Sequence, residues 1–326
     1  MKKGWLDNTK RILVTGSRGK SGITRLLRAG LEAAGFEAWA RITGVEPRQL
    51  GPGGIQAILR TSGAHVEEMR WWLRQLPPGA DAIVLENSAI TPELQELAGR
   101  WLRPEITVLS NVLPDHQEAW GPTSAGAAEA LAAGLPPGGR VVLPVALHSD
   151  EYLLSLLKRR RCELLFAEGA EGSDGWQAVN RGLALAALEA LGVAGDGVRA
   201  AMYGLERDRF DFRVLEHGGA EFAMAFTVND IASTRSLFGA LDWQEPDTRL
   251  VYNHRADRPG RLRSFRAWLE QRPWREVLIV GDHPLAWKGA GRYLKLANGN
   301  ELLHLLRPGD RAFGCGNVAG LPLALY

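Results

Sequence analysis

The sequence predicts an α/β chain in two units: a parallel sheet flanked by helices, then a smaller Rossmann-like α/β unit. Three observations predict it. A short apolar run at 11–15 enters a glycine-rich turn and then a stretch of helical periodicity. Through the first half, short apolar runs alternate with longer helical patterns, as strands and crossover helices do in a parallel sheet. Near residue 210 the pattern gives way to a polar, charged stretch and a hairpin, after which a second strand–helix series begins. The boundary is placed there, giving units of 1–210 and 211–326.

In the first unit, strands are predicted at 11–15, 82–85, 106–109 and 141–143. Helices are predicted at 23–34, 92–102, 125–133 and 177–191, the last rich in alanine and leucine and ended by Gly192. In the second unit, 212–216 and 221–226 form a hairpin around Gly218-Gly219. Strands follow at 250–252, 277–280 and 311–313, with helices at 261–271 and 300–306.

The 326 residues are 45% apolar, enough for a sizeable core, and the net charge of +2 marks no basic domain. The one dense cationic run, Lys158-Arg159-Arg160-Arg161, sits beside the apolar stretch 153–157. It reads as a helix end whose cations suit the negative pole of the dipole. No second basic stripe accompanies it, so nucleic acid is not an expected partner. Cys162 and Cys315 are the two cysteines. They make neither a disulfide framework nor a zinc site, and a reducing, cytoplasmic setting is expected. The polar start at 1–10 has no signal core, and no apolar run approaches the ~18 residues of a membrane span.

Gly16-Ser17-Arg18-Gly19-Lys20-Ser21 joins the first strand to the first helix. Phosphate binding needs this order. Glycines let backbone N–H groups turn toward the oxygens, and the new helix points its positive end at them. Lys20 reaches terminal phosphates and the Ser21 hydroxyl suits Mg²⁺. A full loop of this type has glycine where Val14 stands, so this one is shortened. The strand 82–85 runs into Glu86, which would face the same crevice. The strand 106–109 runs into Ser110-Asn111-Val112-Leu113-Pro114-Asp115-His116. Taken singly, that segment reads as a turn with Asp115 capping the next helix.

Taken together, these segments resemble the Mur ligase family, and within it the branch of the poly-γ-glutamate synthase ATP-binding subunits. The resemblance rests on Gly19-Lys20-Ser21, Glu86, the Asn111-Val112-x-x-Asp115-His116 motif with its continuation Gln117-Glu118-Ala119-Trp120-Gly121-Pro122-Thr123, and Asn180. In the second half it rests on Asn229-Asp230-Ile231-Ala232-Ser233-Thr234, Asn253-His254-Arg255-Ala256-Asp257-Arg258 and Gly314-Cys315-Gly316-Asn317. It implies an ATP-dependent, ADP-forming ligase that activates a carboxylate as an acyl phosphate and joins it to an amine. It implies ATP and Mg²⁺ as cofactors. Lys20 with Gly16, Ser17, Arg18, Gly19 and Ser21 would hold phosphates. Ser21 and Glu86 would hold one Mg²⁺ and His116 would help with a second, with Glu86 and His116 ending neighbouring strands. Asn111 and Asn180 would contact the nucleotide, Arg213 the phosphates and Asp230 the ribose.

The implied substrate is an amino acid or a glutamyl chain, and Arg255, Arg258, Arg261 and Arg263 suit carboxylate capture. A membrane-protein partner of a polymer synthase and an oligomer are compatible with the branch. The phosphate loop starts by residue 16, so neither the family's nucleotide-sugar domain nor the branch's membrane segment is expected ahead of it. No lysine stands in 125–134, where many Mur ligases carry a carbamylated one. A small-molecule kinase and an assembly subunit silent without partners stay open beside the ligase. A dehydrogenase does not: Gly314-x-Gly316-x-x-Ala319 fits the dinucleotide pattern loosely, but no acid-bearing strand follows it before Tyr326.

Overall fold

The computed structural model describes residues 8–60, 63–172, 175–285, 289 and 291–326. Most of the polar start lies outside them. The chain divides into two compact units, Met1–Glu206 and Arg207–Tyr326.

Among the described residues the first unit is built on eight strands: β1 Lys10–Thr15, β2 Ala38–Ile42, β3 Arg48–Gly51, β4 Gly54–Ala57, β5 Ala82–Glu86, β6 Ile106–Leu109, β7 Arg140–Pro144 and β8 Glu163–Ala167. Their order is β4-β3-β2-β5-β1-β6-β7-β8. β1 is central and parallel to both neighbours, with Ile12 opposite Val84 on one side and Ile106 on the other. Ile12, Leu13 and Val14 are wholly buried, because helices cover both faces of the sheet. On one face the helix Lys20–Ala33 presents Ile23, Leu27 and Leu31, spaced by four residues, against Leu183 and Leu188 of the helix Gly175–Ala190. On the other, Leu13 packs with Met69, Leu73 and Leu102.

The α/β class agrees with the sequence reading, but the sheet is not wholly parallel. β2–β3 and β3–β4 pair antiparallel, adding a meander at one edge. The sequence reading had no strand there. β2 carries the charged Arg41 inside its apolar run, and every residue of β4 is exposed, so neither segment shows a strand-like apolar pattern. The opposite edge strand, β8, was also unread; it follows directly on the cationic run, which includes the end of helix Glu151–Arg159.

The second unit holds β9 Arg213–His217, β10 Ala220–Met224, β11 Thr248–His254, β12 Glu276–Gly281, β13 Arg292–Tyr293 and β14 Arg311–Gly316, in the order β13-β12-β11-β14-β10-β9. β9 and β10 form the predicted hairpin, with φ of 56° and 78° at Gly218 and Gly219. Positive φ at both turn positions matches the twist of a two-residue hairpin, and glycine takes it without strain. The other strands pair parallel. β14 returns between β11 and β10, so the direction of winding reverses beside it, the place where doubly wound sheets open a crevice. Under one face Phe238, Trp268, Trp274 and Phe313 pack edge to face, with Phe238 5.0 Å from Trp274 and 5.3 Å from Phe313.

Candidate nucleotide site

β1 ends at Thr15 and the backbone turns at Gly16 with φ 125°. A Cβ at Gly16 would stand 2.1 Å from Ser110 Oγ, at the end of β6. Gly19 has φ 81°, and a Cβ there would stand 2.8 Å from Asn180 Oδ1. Both glycines are therefore required twice over, by φ and by close approach. The segment after β6 holds the loop. Ser17 N donates to Asn111 O at 3.2 Å and Ser17 Oγ to Leu113 O at 2.6 Å. Asn111 closes a pair with Arg18, accepting its amide at 3.0 Å and donating to its carbonyl at 3.2 Å. Arg18 Nη1 pairs with Asp115 Oδ2 at 2.6 Å. Burial alone would raise the Asp115 carboxyl; Arg18 and His116 outweigh it and hold it below the usual carboxylate range. The Asp115 carboxylate is thus a clamp on the loop.

The helix Lys20–Ala33 begins at Gly19 with no side-chain cap and no acid in its first turn. Its first amides have no acceptor within the helix, and its dipole favours an anion there. Lys20 Nζ donates to Gly16 O at 2.7 Å. Burial lowers its pKa, and Glu86 pulls the other way.

Glu86 ends β5 opposite Val14 and is 3% exposed. Its Oε2 accepts from Ser21 Oγ at 2.8 Å and from Thr43 N at 3.2 Å, and its Oε1 from Thr43 Oγ1 at 2.8 Å. A carboxylate and two hydroxyls in contact are hard oxygen donors, a set that suits Mg²⁺, which takes few protein ligands and fills the rest with phosphate and water. Thr43 was missed by the sequence reading. The signal was present: a hydroxyl residue directly after the strand end, where Glu86 stands on β5.

His116 needs a correction. It and Glu86 do not end neighbouring strands, since β1 lies between β5 and β6. His116 takes φ 42°, stands 3.5 Å from the Asp115 carboxylate, and meets the Trp120 ring edge-on at 5.1 Å. Ser21, Glu86, Lys20, Asn111 and Asn180 are brought to the loop; Arg213 and Asp230 lie in the second unit. There, Arg213 Nη2 donates to Leu325 O at 3.0 Å and its guanidinium covers the Tyr326 ring. Asp230 caps the helix Ile231–Gly239, accepting Ser233 N at 2.8 Å.

The other second-unit motifs bind one another. Asn253, at 1% exposure, donates through Nδ2 to Asn317 O and Ala319 O, and Asn317 Nδ2 returns a bond to Asn253 O at 2.9 Å. Arg255 pairs with Asp257 through both fork nitrogens, at 2.9 and 2.6 Å, and Arg261 donates to Asn317 Oδ1. Beside them, at the carboxyl ends of β11 and β12, a cavity of about 630 Å³ is lined by Asn253, His254, Arg255, Asp282 and Asn298.

Residues 14–184 match the family described as the Mur ligase middle domain, and residues 212–326 match the poly-gamma-glutamate synthase CapB C-terminal domain. The chain is 28% identical over 277 residues to a protein named PGA synthase CapB from Bacillus subtilis (strain 168), a match covering 78% of this chain and 70% of that one. It is 26% identical over 275 residues to the capsule biosynthesis protein CapB of Bacillus anthracis, covering 78% of this chain and 59% of the relative. Among solved structures it is similar to a bifunctional folylpolyglutamate synthase/dihydrofolate synthase with Mn, AMPPNP and L-glutamate bound, at TM-score 0.69 and 14% identity, covering 98% of this chain and 91% of that one. It is also similar to MurF from Acinetobacter baumannii, at TM-score 0.66 and 13% identity, covering 95% and 74%. At such identities these two likenesses concern the fold.

Proposed function

Because the chain belongs to the Mur ligase family, we propose that it is an ATP-dependent, ADP-forming carbon–nitrogen ligase acting on glutamate or a glutamyl chain. The observation that carries the reading is the Ser21 hydroxyl on the Glu86 carboxylate, beside a half-buried Lys20 and an uncapped helix terminus. The names of the CapB relatives supply the glutamyl substrate, and the nucleotide and glutamate bound to the folylpolyglutamate synthase are compatible with it.

In this scheme residues 1–210 bind ATP and 211–326 serve the amine. The amides of the loop and of the helix start hold the terminal phosphates, and Lys20 offsets their charge. Ser21 and Glu86, with Thr43, would hold Mg²⁺, and His116 would assist a second ion; bound metal supplies charge neutralisation at the transferring phosphoryl group. A carboxylate oxygen of the donor attacks the γ-phosphorus and the bond to ADP breaks. The amine nitrogen then attacks the acyl carbon, inorganic phosphate leaves, and the nitrogen loses its proton. Asn111 and Asn180 are assigned to the nucleotide, Arg213 to phosphate and Asp230 to ribose, on residue type and motif. Each assignment is read out as ATP affinity in the alanine variant.

No helix among the described residues is long and apolar enough to cross a membrane. A membrane-protein partner and an oligomer belong to the same reading. The test is an ADP-release assay of the purified chain with glutamate and γ-linked glutamyl peptides, alone and with candidate partners, plus mass spectrometry of the product. ADP, phosphate and a new amide are expected. AMP with pyrophosphate would replace the acyl phosphate by an adenylate, and a phosphorylated product with no amide would make the chain a kinase.

A further inference from the structure

Trp176 is 46% exposed, although it stands on the side of its helix that faces the core. In the helix Gly175–Ala190, Asn180, Leu183, Ala184 and Ala187 are buried, and Trp176, four residues before Asn180, lies on the same stripe. An aromatic residue on such a stripe is exposed only where the stripe runs past the surface it packs on. Two close approaches locate that end. A Cβ at Gly19 would stand 2.8 Å from Asn180 Oδ1, and a Cβ at Gly30 would stand 2.6 Å from Leu188 Cδ1. Asn180 is thus level with the start of the helix Lys20–Ala33 and Leu188 with its later turns, so the two helices run in the same direction. Trp176 lies one turn further, about 5.4 Å along the axis, beside the phosphate loop and on the side to which the helix points its first amides. Residues 168–170 run along the opposite side of its helix, where Ala170 N donates to Ala178 O at 2.9 Å and a Cβ at Gly182 would meet Glu168 O.

The loop offers a ligand amides, hydroxyls and charge, and none of residues 16–21 is aromatic. The indole of Trp176 adds what the loop lacks, a flat apolar face. In a nucleoside triphosphate the part with a matching π-face is the base, held a ribose away from the phosphates. Stray exposed apolar residues are ordinary on protein surfaces, but this one belongs to an inward stripe and emerges where a phosphate ligand would sit.

Resting on the nucleotide site of the ligase reading, we propose that Trp176 is the stacking platform for the base of the bound nucleotide. Its indole covers one face of the base while the phosphates occupy the loop. Val179, three residues on and 37% exposed, extends the apolar rim. Trp176 thereby supplies affinity for the nucleoside end, and residues 16–21 supply it for the phosphate end.

The test is calorimetric titration of the full chain with Mg²⁺ present, using a non-hydrolysable ATP analogue and inorganic tripolyphosphate, which has no base. Wild type is expected to bind the analogue more tightly. Trp176→Ala should weaken the analogue about fivefold to a hundredfold, the loss of one base–aromatic stack, and leave tripolyphosphate within about twofold. Trp176→Phe should recover most of the loss. The side chain is half exposed, so the fold should be kept, and tripolyphosphate binding by the variant reports that it is. No preference for the analogue in wild type, no loss in Trp176→Ala, or equal losses for both ligands would overturn the platform and leave the phosphate loop standing. A wild type that binds neither ligand would overturn both. Base-dependent binding without ADP or amide formation would sink the ligase reading and leave the platform standing.

Discussion

The two units use their motif residues in opposite ways. Around the phosphate loop, polar side chains gather at the spot proposed for nucleotide and metal: Lys20 donates to Gly16, Ser21 and Thr43 donate to Glu86, and Asn180 closes against Gly19. In the second unit, the motif residues bind each other. Asp230 caps a helix, Asn253 and Asn317 tie β11 to β14, and Arg255 holds Asp257. Both sets bond among themselves; what differs is that the first gathers at a helix start with no side-chain cap, while the second ties β11 to β14.

Substitutions should expose this difference. The largest effect is expected at Lys20. Lys20→Ala should lower ATP turnover by about a thousandfold or more, since it removes charge stabilisation at the phosphates. The melting temperature should hold or rise, because a half-buried lysine whose pKa is lowered by desolvation contributes little to folding. ADP release and thermal melts read the two quantities; turnover near wild type would remove the loop from the chemistry.

Next, Glu86→Gln keeps the shape and removes the charge. The Mg²⁺ concentration for half-maximal activity should rise about tenfold to a hundredfold, and Thr43→Val should move it the same way by less. A metal titration that does not shift would detach Glu86 from the ion. In the second unit, Asn253→Ala should act on stability: it removes one buried and one part-buried hydrogen bond and should cost about 2–3 kcal/mol in denaturant unfolding. An unchanged unfolding midpoint would show that the Asn253–Asn317 tie is dispensable.

Much of this was legible beforehand. The helix Pro92–Leu102 and the strand Ile106–Leu109 coincide with their predicted bounds, because each is a clean apolar pattern between turn residues. The phosphate loop was legible because glycine, lysine and serine in that order have few structural uses. What was not legible depends on contacts far apart in sequence. Thr43 gains its meaning only when β2 lies beside β5, and Arg41 looks like an error in a strand until Glu68 and Arg60 are seen around it. The Asp115 ion pair was not legible for the same reason: its partner, Arg18, is 97 residues away.

A smaller effect is expected from acid. The Asp115 carboxyl is depressed on folding, so its stabilising contribution is complete above its unfolded pKa and is lost as pH falls through the folded one. The Arg18–Asp115 clamp should therefore open only as pH falls below the usual carboxylate range. Asp115→Asn should lower stability at neutral pH by about 1–2 kcal/mol and flatten that part of the acid dependence, as read from melts across the range. Smallest is Asp230. If it only caps its helix, Asp230→Asn, which keeps capping capacity, should change stability by less than about 0.5 kcal/mol and leave ATP affinity alone. A fall in ATP affinity with unchanged stability would make the ribose assignment the better account.

The close approach of Gly16 to Ser110 has a consequence for anyone who would move this loop elsewhere. Its shape is written in two pieces, 16–21 and 110–115, and the second supplies the wall, the amide acceptors and the counter-charge of the first. A peptide copied from 10–33 alone would keep the signature residues and lose their arrangement. The portable module is discontinuous, and a graft that is meant to hold phosphate has to carry both pieces and the paired strands β1 and β6 that lead into them.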